Sequence, residues 1–182
     1  SFGDQVEPKN LSTYTGSVKE DRALVESLCE KGKAIRFPHV NFEVPSPESL
    51  KVTQRINHEI NTIEQKGYLS YFLITWDIIH FAKSKGYFHV GRGSGANSVV
   101  AYLLGITDVD PLDLDLYFER FINLHRKNPP DFDIDFSWTE RDDVLQYIFR
   151  RFPNTALICT YNTYQYRSCI RELGKVLGVP KG

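Results

Sequence analysis

The sequence lacks several features that would narrow its class at once. No apolar run approaches the roughly 18 to 20 residues that a membrane-spanning helix requires. No charged-then-apolar segment opens the chain in the manner of a secretory signal. The expected location is therefore the cytoplasm. Only three cysteines occur, Cys29, Cys159 and Cys169. They are odd in number and far apart, which argues for reduced core thiols and against a disulfide framework or a Cys-x-x-Cys zinc site. The five histidines, His39, His58, His80, His89 and His125, show no metal-ligand spacing. There is no internal repeat and no low-complexity segment. The chain also lacks an initiator Met, beginning Ser1-Phe2, and the expectation is a piece of a longer protein.

What is present is an ordinary globular composition over 182 residues, 41% hydrophobic and 25% charged. That is enough chain for one domain with a real core. The net charge of −1 hides a segregation. From Ile106 to Asp143 there are eleven Asp or Glu against four Lys or Arg, and from Arg150 to Gly182 six Lys or Arg against one Glu. An acidic zone beside a basic one suits a site that holds cations and meets phosphates. Scatter on solvated faces is the competing explanation.

Periodicity and punctuation outline a mixed α/β layout with helices around a small mixed sheet. Residues 1–45 read as a loose lead-in with a short helix, Asp21 to Lys33, ending near Gly32. Phe37 to Pro45 reads as an extended, edge-like segment between prolines. The main domain is expected over 46–182. Ser46-Pro47 starts a helix that Gly67 stops. Tyr71 to Lys85 is a second helix, nearly apolar all round through Trp76 and so buried. Tyr87 to Val90 is a strand, Gly91 to Gly95 a turn, and Ala96 to Leu104 a helix closed by Gly105. Asp131 to Phe136 is an alternating strand. Thr139 caps a helix through Arg151, with Asp142 as its capping-box partner. Ala156 to Thr160 is a strand and Thr163 to Leu177 a helix.

Two motifs carry chemistry. The first is strand, Gly91-Arg92-Gly93-Ser94-Gly95, helix. Glycines let a backbone approach a ligand closely, and free N–H groups at a helix start favour an anion. Arg92 adds a bidentate grip on phosphate and Ser94 a hydroxyl donor. The turn is not a Walker A loop, a Gly-x-Gly-x-x-Gly fingerprint or a Gly-x-Ser-x-Gly elbow. A plain tight turn is the alternative. A dinucleotide-binding oxidoreductase fails on context, because the acidic residues about 20 positions on sit in the Asp110-Pro111 loop.

The second motif is Asp131, Asp133 and Asp135. On a strand these share one face, while Phe132, Ile134 and Phe136 face the core. Three like charges on one face need a positive partner, and two divalent ions bridged by carboxylates would supply it. Magnesium suits all-oxygen ligands and brings substrate phosphates with it. An EF-hand loop is excluded by Phe136 at its sixth place, where Gly is needed, and by Pro129-Pro130. A turn residue at Asp131, or a plain solvent face, are the remaining alternatives, and spacing alone does not choose among the three aspartates.

Four linked segments bring a family into view: Gly91-Arg92-Gly93-Ser94-Gly95-Ala96, Gly105 to Leu112, Phe118 to Asn123, and Pro130 to Phe136. Their order and spacing closely resemble the bacterial C-family replicases, the DNA polymerase III alpha subunits. The resemblance runs from about Gly67 to the end and takes in Tyr71-Phe72-Leu73-Ile74 and Arg171-Glu172-Leu173-Gly174-Lys175. It implies a palm of the polymerase-beta-like nucleotidyltransferase fold. It also implies two-metal nucleotidyl transfer from a dNTP to a primer 3′-hydroxyl. The family's last two motif aspartates hold two Mg2+ ions; here they are Asp133 and Asp135, with Asp131 in support. Gly93 and Ser94 would contact the triphosphate, with Arg92, Arg120 and Arg126 as phosphate-side cations. Primer-template DNA, dNTP and replicase subunits such as the sliding clamp are the implied partners. The sequence departs from the family at His89-Val90-Gly91, at Asn123-Leu124-His125-Arg126 and at Asn97, where a glycine is usual. The family's third catalytic aspartate is expected further along, so this piece alone is expected to be inactive. The alternative is a non-catalytic nucleic-acid-binding module whose basic residues, Arg150, Arg151, Arg167, Arg171 and Lys175, contact phosphates with salt-sensitive affinity.

Overall fold

The computed structural model describes residues 12–125, 130–152, 154–158, 163 and 165–178. Its elements in chain order are α1 (Val18–Arg36), α2 (Pro47–Gln65), α3 (Leu69–Ser84), β1 (His89–Arg92), α4 (Val99–Leu103), β2 (Asp133–Phe136), α5 (Arg141–Arg151) and α6 (Tyr166–Val176). Single 3-10 turns occupy Gly93–Asn97 and Phe118–Arg120. Among the described residues the sheet is a two-stranded antiparallel ribbon, not a mixed one. The strand expected from Ala156 does not form over 156–158, where Leu157 and Ile158 are exposed; residues 159 and 160 lie outside the described residues.

The core is made by α1, α2, α3 and α4. Val25 and Cys29 of α1, Val52, Ile56, Ile60 and Ile63 of α2, and Phe72 and Leu73 of α3 surround the apolar turn of α4. Each helix presents these residues at three- and four-residue steps, which is why one face is buried. In α3 the burial goes almost all the way round, as expected, and the second half turns Asp77 toward α5.

The first helix differs from expectation. It is 19 residues long, capped by Ser17 and packed into the core, and it runs straight through Gly32. Gly32 is there for space: a Cβ would collide with the backbone carbonyl of Leu103. The glycine marks a close helix–helix approach inside α1, not its end. The Phe37 to Pro45 segment likewise forms turns, with Val40 N–H donating to Phe37 O, and no strand.

α2 begins as its sequence predicts. Ser46 and Ser49 form a reciprocal capping box, with Pro47 in the first turn. Gly67, Gly86 and Gly105 follow the ends of α2, α3 and α4 in left-handed backbone. α5 starts one residue later than expected, and Thr139 does not cap it. The Thr139 hydroxyl pairs instead with that of Ser137, 2.8 Å away. α5 is tied to α3 by polar side chains: Tyr147 and Arg151 both donate to Asp77, each at 2.9 Å. The Tyr147 ring stacks flat on Phe81, with centroids 3.8 Å apart. No described helix is long and apolar enough to cross a membrane.

Candidate nucleotide and metal site

The ribbon places both motifs together. Register pairs Arg92 with Asp133, Gly91 with Ile134, Val90 with Asp135 and His89 with Phe136. The alternation read from the sequence holds. Asp131, Asp133 and Asp135 are exposed, while Phe132, Ile134 and Phe136 are half-buried on the other face. Phe132 anchors the ladder. Its ring stacks on Tyr71 and meets Phe72 and Phe121 edge-on or tilted, with centroids 5.0 to 5.3 Å away. Its backbone N–H donates to the Tyr71 hydroxyl at 3.0 Å.

Arg92 does not face a phosphate pocket. It stands on the exposed face and donates through Nε to Asp135 Oδ2 at 2.6 Å. The Asp135 carboxylate holds the guanidinium above its ordinary pKa. Asp133 lies against the turn instead. Gly93 has a φ of +74°, and a Cβ there would strike the Asp133 carboxylate. Both left-handed backbone and lack of space therefore require glycine at this position. Gly95 is fitted under the Phe132 ring in the same way. The tight-turn explanation thus accounts for these glycines, and it is this tightness that brings turn and aspartates into contact.

Gly93, Ser94 and Arg120 share one depression of about 340 Å³, completed by Ala96, Asn97 and Leu116. Arg120 is exposed and makes no ion pair among the described residues. Three of the five expected phosphate-side residues thus converge. Arg92 is diverted to Asp135, and Arg126 lies outside the described residues.

The helix-dipole part of the expectation is overturned. The helix after the turn starts at Val99, not Ala96, and its first N–H groups are already taken. Glu59, 0% exposed, accepts from Val99 N and Val100 N at 3.0 Å each and from the Ser98 hydroxyl at 2.7 Å. A buried carboxylate from α2 occupies the N-terminus of α4. Burial pushes the Glu59 carboxyl up, and its hydrogen bonds to Val100, Val99, Ser98 and Arg55 pull it back. Arg55 completes the arrangement by donating to Glu59 at 2.7 Å and, through Nη2, to the carbonyls of Asn97 and Leu116 at 3.0 and 2.8 Å. Glu59 and Arg55 were not singled out from the sequence, and Asn97 only as a place where the family usually has glycine. The available signals were the Arg55/Glu59 spacing of four on a helix and the Asn-Ser before Val99, a cap signature.

His89 is buried in the ribbon, with Nε2 at 3.2 Å from Gly105 O, so it serves packing and does not reach toward the depression. Much of the basic tail is internally engaged: Arg151 with Asp77, and Arg171 and Lys175 with Glu172. Among the described residues, no three His, Cys, Asp or Glu converge to hold a metal ion.

The turn thus lies against Asp133, with Asp135 paired to Arg92, beside the depression that Ser94 and Arg120 help to line. Over residues 23–182 the sequence matches the family described as the bacterial DNA polymerase III alpha NTPase domain, and the chain belongs to that family. The error-prone DNA polymerase of Symbiobacterium thermophilum is 47% identical over 130 residues, 70% of this chain and 12% of that protein. Those of Anaeromyxobacter dehalogenans strain 2CP-C and Vibrio campbellii are each 44% identical, over 88% and 84% of this chain and 14% of each relative. The chain thus spans about one eighth of the length of these relatives.

Proposed function

We propose that this chain is the palm portion of a DNA-directed DNA polymerase, of the polymerase-beta-like nucleotidyltransferase type. In the full-length protein that carries it, a nucleotidyl group passes from a dNTP to a primer 3′-hydroxyl on a template. The observation that carries the reading is the contact between the Gly93 turn and Asp133, which joins the acidic pair to the depression that Ser94 and Arg120 help to line.

Asp133 and Asp135 fit a divalent cation of the magnesium type. They offer only carboxylate oxygen, and such an ion is commonly held by one or two carboxylates with substrate phosphates and waters completing its shell. When bound, the ion would supply positive charge at the reacting phosphate and at the attacking hydroxyl. The chain's own residues do the rest. The Ser94 hydroxyl, the N–H groups of the turn and Arg120 donate to the triphosphate oxygens. With Asp135 holding a cation, Arg92 would lose its present partner and be free to pair with phosphate. Asp131 adds negative charge at the ladder's near end. Primer-template DNA and dNTP are the substrates, the sliding clamp and other replicase subunits are the wider partners, and the bacterial cytoplasm is the place of action.

Asp133→Asn in the full-length polymerase tests this. Asp133 is exposed, so circular dichroism and Tm should be unchanged while primer extension falls by about a thousandfold or more, the several kcal/mol of charge stabilisation a catalytic ion supplies. Near-normal extension would sink the assignment.

A further inference from the structure

The depression beside the Gly93 turn is lined by two separate stretches of chain. Gly93, Ser94, Ala96 and Asn97 form one side, and Leu116 with Arg120 the other. The two side chains suited to phosphate, Ser94 and Arg120, belong one to each. Each stretch is a short 3-10 turn or the coil beside it. Among the described residues no backbone hydrogen bond runs from one stretch to the other. A single side chain makes hydrogen bonds to both, and it comes from neither.

That side chain is Arg55 of α2. Its Nη2 donates to Asn97 O at 3.0 Å and to Leu116 O at 2.8 Å. Both carbonyls are therefore held within reach of one nitrogen. From each of them the tie passes on to a phosphate-side residue. The Asn97 amide donates through Nδ2 to Ser94 O at 2.8 Å. On the other side Arg120 N donates at 3.2 Å to the carbonyl of Tyr117, the neighbour of Leu116. Arg55 is itself fixed, because Nε donates at 2.7 Å to the buried Glu59 carboxylate. A planar guanidinium engaged at both ends is a rigid spacer. A lysine in its place has one nitrogen, and cannot keep Glu59 and span the two carbonyls together.

Resting on the polymerase reading above, we propose that Arg55 is a positioning residue for nucleotide binding, which sets the separation of Ser94 and Arg120 to suit one triphosphate. It acts through Asn97 and Leu116 and not by touching the ligand. With the two sides tied, neither stretch has to be ordered when the nucleotide arrives. Order imposed on folding raises affinity, because the binding step no longer carries that entropy cost.

The test uses the full-length polymerase on a primer already ended by a dideoxynucleotide, so that binding of the templated dNTP is measured without chemistry. Arg55→Lys keeps a positive charge beside Glu59 and gives up the span. It should bind dNTP about tenfold more weakly, with primer-template affinity unchanged. Val52→Ala removes core volume from the same helix and controls for stability alone. It should lower Tm and leave dNTP affinity at the wild-type value. Should Lys fail to sustain the fold, Asn97→Ala cuts the amide bond to Ser94 and keeps the carbonyl that Arg55 holds; it too should weaken dNTP binding. Wild-type dNTP affinity in the folded variants, or an equal loss in Val52→Ala, would overturn the proposal. Failure of the polymerase reading itself looks different: Asp133→Asn would then remain active, whatever Arg55 does.

Discussion

Gly93 concentrates the site's dependence on single atoms. Its left-handed φ costs a residue with a side chain roughly 1 to 2 kcal/mol, and the space that a Cβ would fill belongs to Asp133. Gly93→Ala should therefore lower the unfolding free energy by about that amount, read from the denaturant midpoint. An unchanged midpoint would mean that the turn relaxes without strain. His89 provides a pH signature at the same scale. Burial, chiefly, with Lys83 nearby, pushes its imidazole down from the ordinary value, while its bond to Gly105 pulls the other way. The unfolded chain binds a proton at His89 below about pH 6.5, whereas the folded chain resists it. Its contribution to stability is thus fully present above that pH and is lost as pH falls toward the depressed folded value. Between pH 7 and pH 5 the wild type should lose more stability than His89→Gln; equal losses would remove His89 as the cause. These residue-scale features were unevenly legible. The aspartate alternation could be read because a strand's period is two and the residues between the aspartates, Phe132 and Ile134, are large and apolar. The strain at Gly93 could not, because its second cause, Asp133, lies forty residues away.

At the scale of elements, α4 shows what local reading misses. Its expected start, Ala96, follows directly on the Gly91 to Gly95 turn. The true start is set by Ser98 and by Glu59 of α2, a partner that no local pattern announces. The same blindness made Gly32 a stop and Thr139 a cap. In each case a distant or competing contact, Leu103 for one and Ser137 for the other, decided the role. Glu59 accepts from four donors, an arrangement suited to a carboxylate with both oxygens as acceptors. Glu59→Gln would turn one acceptor into a donor facing donors and leave Arg55 without its counter-charge. Breaking one side of a buried pair costs about 3 to 5 kcal/mol. For a chain of this size that is a Tm lower by ~10 °C, and a shift within a degree or two would show that the carboxylate's charge is not needed.

At the scale of the whole molecule, helix order and core composition were largely readable from spacing, whereas the sheet was not. A two-stranded ribbon is marginal by itself; this one is held by Phe132 on one side and by His89 against the Gly105 carbonyl on the other. In the proposed function the catalytic centre needs more than Asp133 and Asp135, the two carboxylates that this chain offers to a cation. The chain alone, given primer-template, dNTPs and magnesium, is accordingly expected to give no templated extension in a gel assay. Extension by the chain alone would mean that two carboxylates suffice.

Arg55 touches three things at once: the Glu59 carboxylate, the Asn97 carbonyl and the Leu116 carbonyl. A joint of that kind makes its neighbours energetically interdependent. Losses at Glu59, Arg55 and Asn97 draw on one shared store of stabilisation, so removing two of them costs less than the separate costs added together. Asn97 lies far along the chain from Arg55 and Glu59, which share one helix, but the free energy treats the three as a single part.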